Sequence, residues 1–402
     1  MSFNLTAIVF SGIALLYFGA QLLILVRVAR RVPVLVSLPL EELEKWPRVS
    51  IIITACNEER SLEAAVASRF EEDYPELEII LVEDRSTDST PEIAGRLAAA
   101  HPTVKVRHIT ELPKGWLGKV NALKEGLEQA SGEWVLFSDG DVSFHKGVLR
   151  RAVAYCESHG FDHCAILPGL RPVHPVLDCL TSIFLRLVAL NFRIWAIEDP
   201  RSAVGVGIGA FNLVRRSALE KTPGLEYIRM EVGDDLALGQ MLKACGARQT
   251  VLNGRDLMDI EFHSSIGDSL RSAERATYTS IGNFNLARLS LVAVATLILE
   301  LSPLIALAAV RSPLDLIFVL PALVVALAAM LVPNRMWGRA SWNLVLFPIA
   351  TFIFCYSMVR SGVLGVKRGG IIWRGTFYPN DELKAGRRYG RAWTDLAPHD
   401  RR

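Results

Sequence analysis

Val49-Ser50-Ile51-Ile52-Ile53-Thr54-Ala55-Cys56-Asn57-Glu58-Glu59 runs from a short β-branched stretch into a polar, acidic turn. Apolar residues over 49–53 with no polar alternation read as a strand buried on both faces. The pattern returns twice. Leu77 to Val82 leads into Glu83-Asp84-Arg85-Ser86-Thr87-Asp88, and Glu133 to Phe137 leads into Ser138-Asp139-Gly140-Asp141. Val104 to Ile109 is a further strand, and helical patterns cover Glu58 to Arg69, Thr90 to Ala100 and Val120 to Ala130. Alternating strands and helices predict a parallel sheet covered by helices. Ligands of such sheets bind beyond the carboxyl ends of the strands, so the three acidic turns meet on one rim. A single turn of this kind is explained by caps and turn formers alone. Three at one edge form a candidate site.

Asp139-Gly140-Asp141 is the sharpest element. Two aspartates one residue apart reach the same ligand, and the glycine between them lets a phosphate approach the backbone. Hard divalent cations take carboxylate and phosphate oxygens, with water completing an octahedron. A cation held there offsets the charge on a departing diphosphate. The motif is short and common, and alone it is weakly specific.

Outward from this core the chain turns apolar. Of its 402 residues, 51% are hydrophobic, and the mean hydropathy is +0.29. Leu5 to Val26 carries no charge, and at 1.5 Å per residue it reaches about 33 Å, enough for a hydrocarbon core. Arg27, Arg30 and Arg31 follow it, which places the N-terminus outside and the chain after Arg31 in the cytoplasm. A cleaved signal peptide would carry its basic residues first and a shorter apolar stretch. Leu289 to Val310, Leu316 to Val332 and Ala340 to Val359 are further spans, with Arg335 and Arg339 between the last two pointing inside. A full crossing by 340–359 would put Lys367, Arg368 and Arg374 outside, against the rule; a re-entrant segment would not. The sequence leaves that choice open. The net charge of +2 gives no electrostatic case for nucleic acid. Six cysteines, Cys56, Cys156, Cys164, Cys179, Cys245 and Cys355, show no metal-ligand spacing and fit a reducing compartment.

These residues resemble family 2 glycosyltransferases of the GT-A fold over 49–240. Asn57-Glu58 stands at the family's first nucleotide-proximal turn. Glu83-Asp84 with Ser86-Thr87-Asp88 is similar to its Asp-Asp-x-Ser-Thr-Asp element, Gly118-Lys119 with Ala122-Leu123 to its Gly-Lys-x-x-Ala-Leu element, and Ser138-Asp139-Gly140-Asp141 to its metal motif. The resemblance implies that Thr54, Asn57, Glu58, Asp84, Lys119 and Asp139 bind the nucleotide-sugar, Asp84 at the uracil. It implies that Asp141 and Asp139 hold Mg²⁺ or Mn²⁺. Glu231-Val232-Gly233-Asp234-Asp235-Leu236 resembles the family's Glu-Asp helix start, with Asp235 on the catalytic position and Asp234 beside it. The chemistry needs a carboxylate within reach of the acceptor hydroxyl, and a neighbouring acid raises its pKa. A pair of acids at a helix N-terminus is also favoured by the dipole alone. The Gln-x-x-Arg-Trp element of many membrane members is altered: 269–278 keeps Arg275 and lacks the tryptophan. This argues against a long-chain synthase. Arg271 and Arg275 share a helix face and meet either diphosphate or solvent and lipid headgroups. Gly369 to Tyr378 is similar to membrane lipid glycosyltransferases of the ceramide glucosyltransferase type and bacterial carotenoid or hopanoid-associated relatives.

Other features have double readings. Val204 to Gly209 lacks the dinucleotide fingerprint spacing and reads as the edge of an acceptor pocket. Residues 174–200 form either an interfacial helix that admits lipid or a buried core helix. Glu300 in a span is a functional candidate or lines the bundle interior. The expected organisation is an α/β GT-A, Rossmann-like nucleotide-sugar-binding domain plus transmembrane helices. It comprises an anchor at 1–31, a cytoplasmic catalytic domain at 48–284, transmembrane helices at 285–366 and a basic interfacial tail at 367–402. The expected function is metal-dependent, inverting transfer from a UDP-sugar donor to a lipid acceptor in the cell membrane, by a multi-pass protein with no nucleic-acid partner. The alternatives are a membrane polysaccharide synthase and a non-catalytic membrane binding or transport component.

Overall fold

A computed structural model describes residues 3–388. In chain order its strands are β1 Val49–Ala55, β2 Leu77–Asp84, β3 Val104–Ile109, β4 Trp134–Asp139, β5 Val142–Phe144, β6 His163–Leu167, β7 Gly169–Leu170, β8 Asn212–Arg215, β9 Gln249–Asn253, β10 Met258–Ile260, β11 Gly370–Trp373 and β12 Thr376–Pro379. Its helices are α1 Leu5–Arg31, α2 Leu62–Phe70, α3 Thr90–Ala100, α4 Gly118–Gln129, α5 Val148–His159, α6 Pro175–Phe192, α7 Arg216–Leu219, α8 Asp234–Ala244, α9 Ile266–Ala276, α10 Leu286–Ala308, α11 Leu316–Met336, α12 Phe347–Arg368 and α13 Asn380–Gly386.

The chain divides into two compact units. One unit, where the catalytic domain is expected, holds 32–171, 194–262 and the described residues from Trp373 onward. All seven residues of β1 are buried, as its continuous Val/Ile run requires of a strand covered on both faces. The main sheet runs β3-β2-β1-β4-β8-β6-β9. The strands β3, β2, β1 and β4 are parallel, β8 is antiparallel to β4 and β6, and β6 is parallel to β9. A smaller sheet, β5-β10-β7, lies beyond it. Chain order runs outward from β1 through β2 to β3, while β4 flanks β1 on its other side, so the topological switch falls between β1 and β4. There Thr54 stands opposite Asp139, where a ligand crevice opens in sheets of this kind.

The helical unit holds α1, α6 and 263–372. Among the described residues, five helical stretches are long and apolar enough to cross a membrane: Leu5–Arg31, Pro175–Ala196, Leu286–Ala308, Pro313–Met336 and Trp342–Arg368. Their outward residues are apolar, among them Leu291, Val294 and Ile298 on α10 and Ile317, Leu320 and Val324 on α11. Polar side chains are turned inward. Arg186 of α6 donates to Glu300 of α10 (2.7 Å) and to Gln21 of α1 (2.8 Å), and Tyr17 donates to Glu300 (2.6 Å). Glu300 therefore lines the bundle interior within a bonded network.

Three boundaries differ from the sequence reading. Residues 172–193 and 263–284, grouped above with the catalytic domain, pack in the helical unit. The last long helix starts at Phe347 rather than Ala340, because 342–346 form a 3-10 turn. Residues 373–388, expected in an interfacial tail, belong to the catalytic unit; 389–402 of that tail lie outside the described residues.

Candidate active site

The turn after β1 is tied to the turn after β2. Asn57 sits in the left-handed region (φ 58°), which Asn tolerates better than most residues. Its Oδ1 accepts from the Thr87 amide (2.7 Å), and its own amide donates to Ser86 Oγ (3.1 Å). Asp88 accepts from the amides of Thr90 and Glu59 (3.0 and 3.2 Å), so its role in this structure is turn formation. Asp84 is buried and accepts from Arg85 Nε and Nη2 (2.7 and 3.1 Å). Gly118 makes room for it, since a Cβ there would lie 2.6 Å from Asp84 Oδ2.

The Asp139-Gly140-Asp141 turn is bracketed by Arg69, a fully buried residue of α2. Its guanidinium donates to Ser138 Oγ (2.9 Å), to Ala65 O (2.6 Å) and to Val142 O. Ser138 in turn donates to Ala210 O (2.9 Å). Arg69 thus fixes both flanks of the aspartate pair without reaching the cleft. Asp141 opens to solvent at the surface. Its carboxyl is pushed up to about 7 by the crowding protein, then by the like charges of Asp139 and Glu58. An acidic cluster so raised is a place where a cation is favourable. Among the described residues no group of three His, Cys, Asp or Glu side chains converges for a metal. Two carboxylates suit Mg²⁺ or Mn²⁺, which take few protein oxygens and complete their shell with phosphate and water. The donor set of Asp139 and Asp141 fits such an ion. Arg69→Met is expected to weaken Mn²⁺ binding about 10- to 100-fold, as loss of ligand-orienting contacts does. Calorimetric titration with Mn²⁺ checks this, and a thermal melt separates it from unfolding.

Lys119 joins the metal motif to the candidate base. Its Nζ lies 2.8 Å from Asp139 Oδ1 and 3.6 Å from Asp234 Oδ2. Burial alone would lower the lysine pKa, but Asp139, Asp234 and Asp235 outweigh it and hold the group well above its usual value. Both acids start α8. Burial lifts Asp234 up to about 7, against the pull of Lys119. Asp235 is also raised by burial, opposed by Lys119 and by two backbone amides. Those amides are Gly209 N, donating to Oδ2 (2.9 Å), and Leu236 N, donating to Oδ1 (2.8 Å). The glycines of 205–209 permit this approach: a Cβ on Gly207 would collide with Asp235 O, and one on Gly209 would lie 2.7 Å from Asp139 Oδ2. The cleft between is lined by Lys119, Ser138, Asp139, Gly209, Asp234 and Asp235.

The structure therefore gathers Thr54, Asn57, Glu58, Asp84, Lys119, Asp139, Asp141, Asp234 and Asp235 in one unit. Arg275 lies in α9 of the helical unit. Sequence reasoning missed Arg69, and it missed a group from the chain's far end. Arg374 donates to Glu58 Oε1 (2.9 Å) and Arg85 to Thr376 Oγ1 (3.2 Å), and the Gly118 amide donates to Tyr378 Oη (3.1 Å). A turn with Arg374 and Gly375 both at positive φ (47° and 79°) aims this segment, the pairing that two-residue hairpin turns use. The Trp373-Arg374-Gly375-Thr376 run was visible in the sequence, but its partners lie some 260 to 316 positions away.

A mixed, largely parallel sheet with a switch-point crevice, an aspartate pair and a second acidic pair at a helix start describe a nucleotide-sugar transferase fold. A mannosyltransferase from Pyrobaculum calidifontis, solved with GDP-Man and Mn²⁺, shares it: the match covers 89% of this chain and 98% of that one, with a TM-score of 0.50 at 20% identity. The fold is GT-A. Residues 50–222 match the model "Glycosyl transferase family 2". The β-monoglucosyldiacylglycerol synthase of Synechocystis sp. is 36% identical over 48% of this chain and 40% of its own length. The poly-β-1,6-N-acetyl-D-glucosamine synthase of Staphylococcus epidermidis is 36% identical over 43% of this chain and 40% of its own. The chain thus spans well under two thirds of the length of these relatives.

Proposed function

We propose that this chain is an inverting, metal-dependent glycosyltransferase that moves a sugar from a UDP-sugar to a membrane lipid, with its catalytic unit in the cytoplasm. The observation that carries the reading is the bridge from Asp139 through Lys119 to Asp234, the neighbour of Asp235, at the sheet's switch point. Asp235, fixed by two amides, takes the proton of the acceptor hydroxyl as it attacks the anomeric carbon. Attack opposite the departing diphosphate inverts the configuration. Lys119 keeps a cation beside three acids, which lets Asp235 remain ionised in a buried place. Asp139 and Asp141 would hold Mg²⁺ or Mn²⁺, which would supply Lewis-acid neutralisation of the diphosphate. Arg374, paired with Glu58, brings a second positive charge to the same rim. Asp84 binds the uracil. The lipid acceptor is supported by the Synechocystis relative, whose product is a glycolipid by name.

Detergent-purified protein is expected to release UDP from a UDP-sugar in a lipid-dependent manner with Mn²⁺ or Mg²⁺, and to lose this in EDTA. Release from GDP-Man alone would overturn the UDP assignment, and no release from any donor by folded protein would overturn the enzyme. Arg374→Ala is expected to raise the donor KM about tenfold, the usual worth of one charge-assisted hydrogen bond; an unchanged donor KM removes Arg374 from the site. A second reading, polysaccharide synthesis, draws on the Staphylococcus epidermidis relative. A polymeric product on mass spectrometry would favour it.

A further inference from the structure

Five helical stretches among the described residues are apolar enough to span, yet the chain's own connections limit how many cross. Helix α6 leaves the catalytic unit after Arg171 and re-enters it at Ile194. The strands on either side of it, β6 and β8, hydrogen-bond to each other, so both ends of α6 open on one side of any membrane. The chain leaves that unit again at His263 and is back in it from Trp373, where Arg374 meets Glu58 and Tyr378 meets Gly118. Between those points the number of crossings must be even, yet three long helices, α10, α11 and α12, lie there.

Contacts inside the bundle show which helices are incomplete. At the end far from the catalytic connections, Asn4 before α1 bonds Ala309 O (2.9 Å) and Asp315 (2.8 Å), joining the end of α10 to the start of α11. At the other end, the space above Gly362 of α12 is closed by Leu286 and Leu289, in the first turn of α10. Phe347, the first residue of α12, lies under the Arg186 guanidinium (5.9 Å), which also covers Phe18 (5.6 Å) and binds Glu300. Glu300 is fourteen residues into α10, about 21 Å along its axis. Helix α12 therefore starts inside the bundle and runs out toward the end where α10 begins. Helix α11 descends from the opposite end, and its Met330 packs in the same core as Phe18 and Phe347.

We infer that the chain crosses the bilayer three times: by α1, by α10, and by a third crossing shared between α11 and α12, broken at 337–346 and sealed by the non-crossing helix α6. A broken helix at membrane depth must find partners for its freed polar groups. α6 provides them: Ser182 donates to Asn334 (2.6 Å), Asp178 accepts from Arg339 (2.9 Å) and Cys179 donates to Asn343 O (2.9 Å). The occupant of the outer surface is lipid acyl chain, met by Leu291, Val294, Ile317, Leu320 and Val324. This topology also resolves the charge conflict of the last segment, since Lys367 and Arg368 fall on the catalytic side. The inference rests on the membrane part of the proposed function and is independent of the catalytic part.

Full-length protein carrying one added cysteine at an exposed position, Lys45→Cys, Arg311→Cys or Lys367→Cys, is treated with membrane-impermeant maleimide in sealed vesicles of either orientation. The wild-type chain reports the background of the native cysteines. Positions 45 and 367 are expected to label from the same face and 311 from the opposite face. Labelling of 367 together with 311, or of 311 together with 45, overturns the broken crossing. Release of wild-type protein by alkaline carbonate overturns the membrane reading and the inference together, whereas UDP release in the donor assay tests catalysis alone.

Discussion

Asp235→Asn is expected to lower sugar transfer by about three orders of magnitude while leaving UDP binding within twofold. Replacing a carboxylate base by an amide removes the proton acceptor and keeps the shape, and positioned acid–base groups contribute roughly 10²–10⁴-fold. The geometry makes the variant informative. The carboxylate accepts from Gly209 N and Leu236 N, and an amide oxygen can keep one of these bonds while its NH₂ cannot replace the other. Some loss of fold stability is therefore expected, readable by thermal melt, but Lys119 keeps Asp139 as its nearer partner (2.8 Å), so the nucleotide side stands. A variant that keeps more than a tenth of wild-type turnover would transfer the base role to Asp234, whose Asn variant is the matched control.

The second large effect lies in the helical unit. Arg186 and Glu300 are 1% and 0% exposed. Removing one partner of a buried pair leaves an uncompensated charge at a cost of about 3–5 kcal/mol. Arg186→Met is expected to lower the thermal midpoint strongly in detergent. Arg186→Met with Glu300→Leu is expected to recover most of that loss, because replacing the whole pair by apolar groups is often neutral. Tyr17 and Gln21 lose partners in the double variant, which sets the part not recovered. A double variant no more stable than the single one would mean that the pair is not the unit of stability.

The parts legible in the sequence share a physical reason. β1, β2 and β4 are continuous apolar runs because helices cover both their faces, and each ends in the acidic turn that marks the site. The helix start at Asp234-Asp235 was readable for the same reason: two acids in a first turn are unusual and favoured. β6, β8 and β9 were harder, being short strands whose burial mixes His163, Asn212, Gln249 and Thr250 with apolar residues. Arg69 reads as a surface residue of an amphipathic helix until its partners across the sheet edge are known. The tail reads as basic and interfacial by local charge, yet Arg374 pairs with Glu58, 316 residues earlier. No window along the chain holds both members of such a contact. Likewise α6 has the composition of a span, and the argument that it does not cross comes from the pairing of β6 with β8, which no local window of sequence contains.

The turn that carries Arg374 sets the timing of biosynthesis. A ribosome makes β1 to β10 long before residue 374, and between them and that turn come α10, α11 and α12. The nascent catalytic sheet can fold early, but Glu58, Arg85 and Gly118 wait for Arg374, Thr376 and Tyr378 until the last hydrophobic helix has left the translocation machinery. A partly inserted chain therefore has an open rim and lacks one of its positive charges. Completion of the rim is thereby coupled to completed integration, and under the proposed function a chain stalled during insertion would lack part of its donor site.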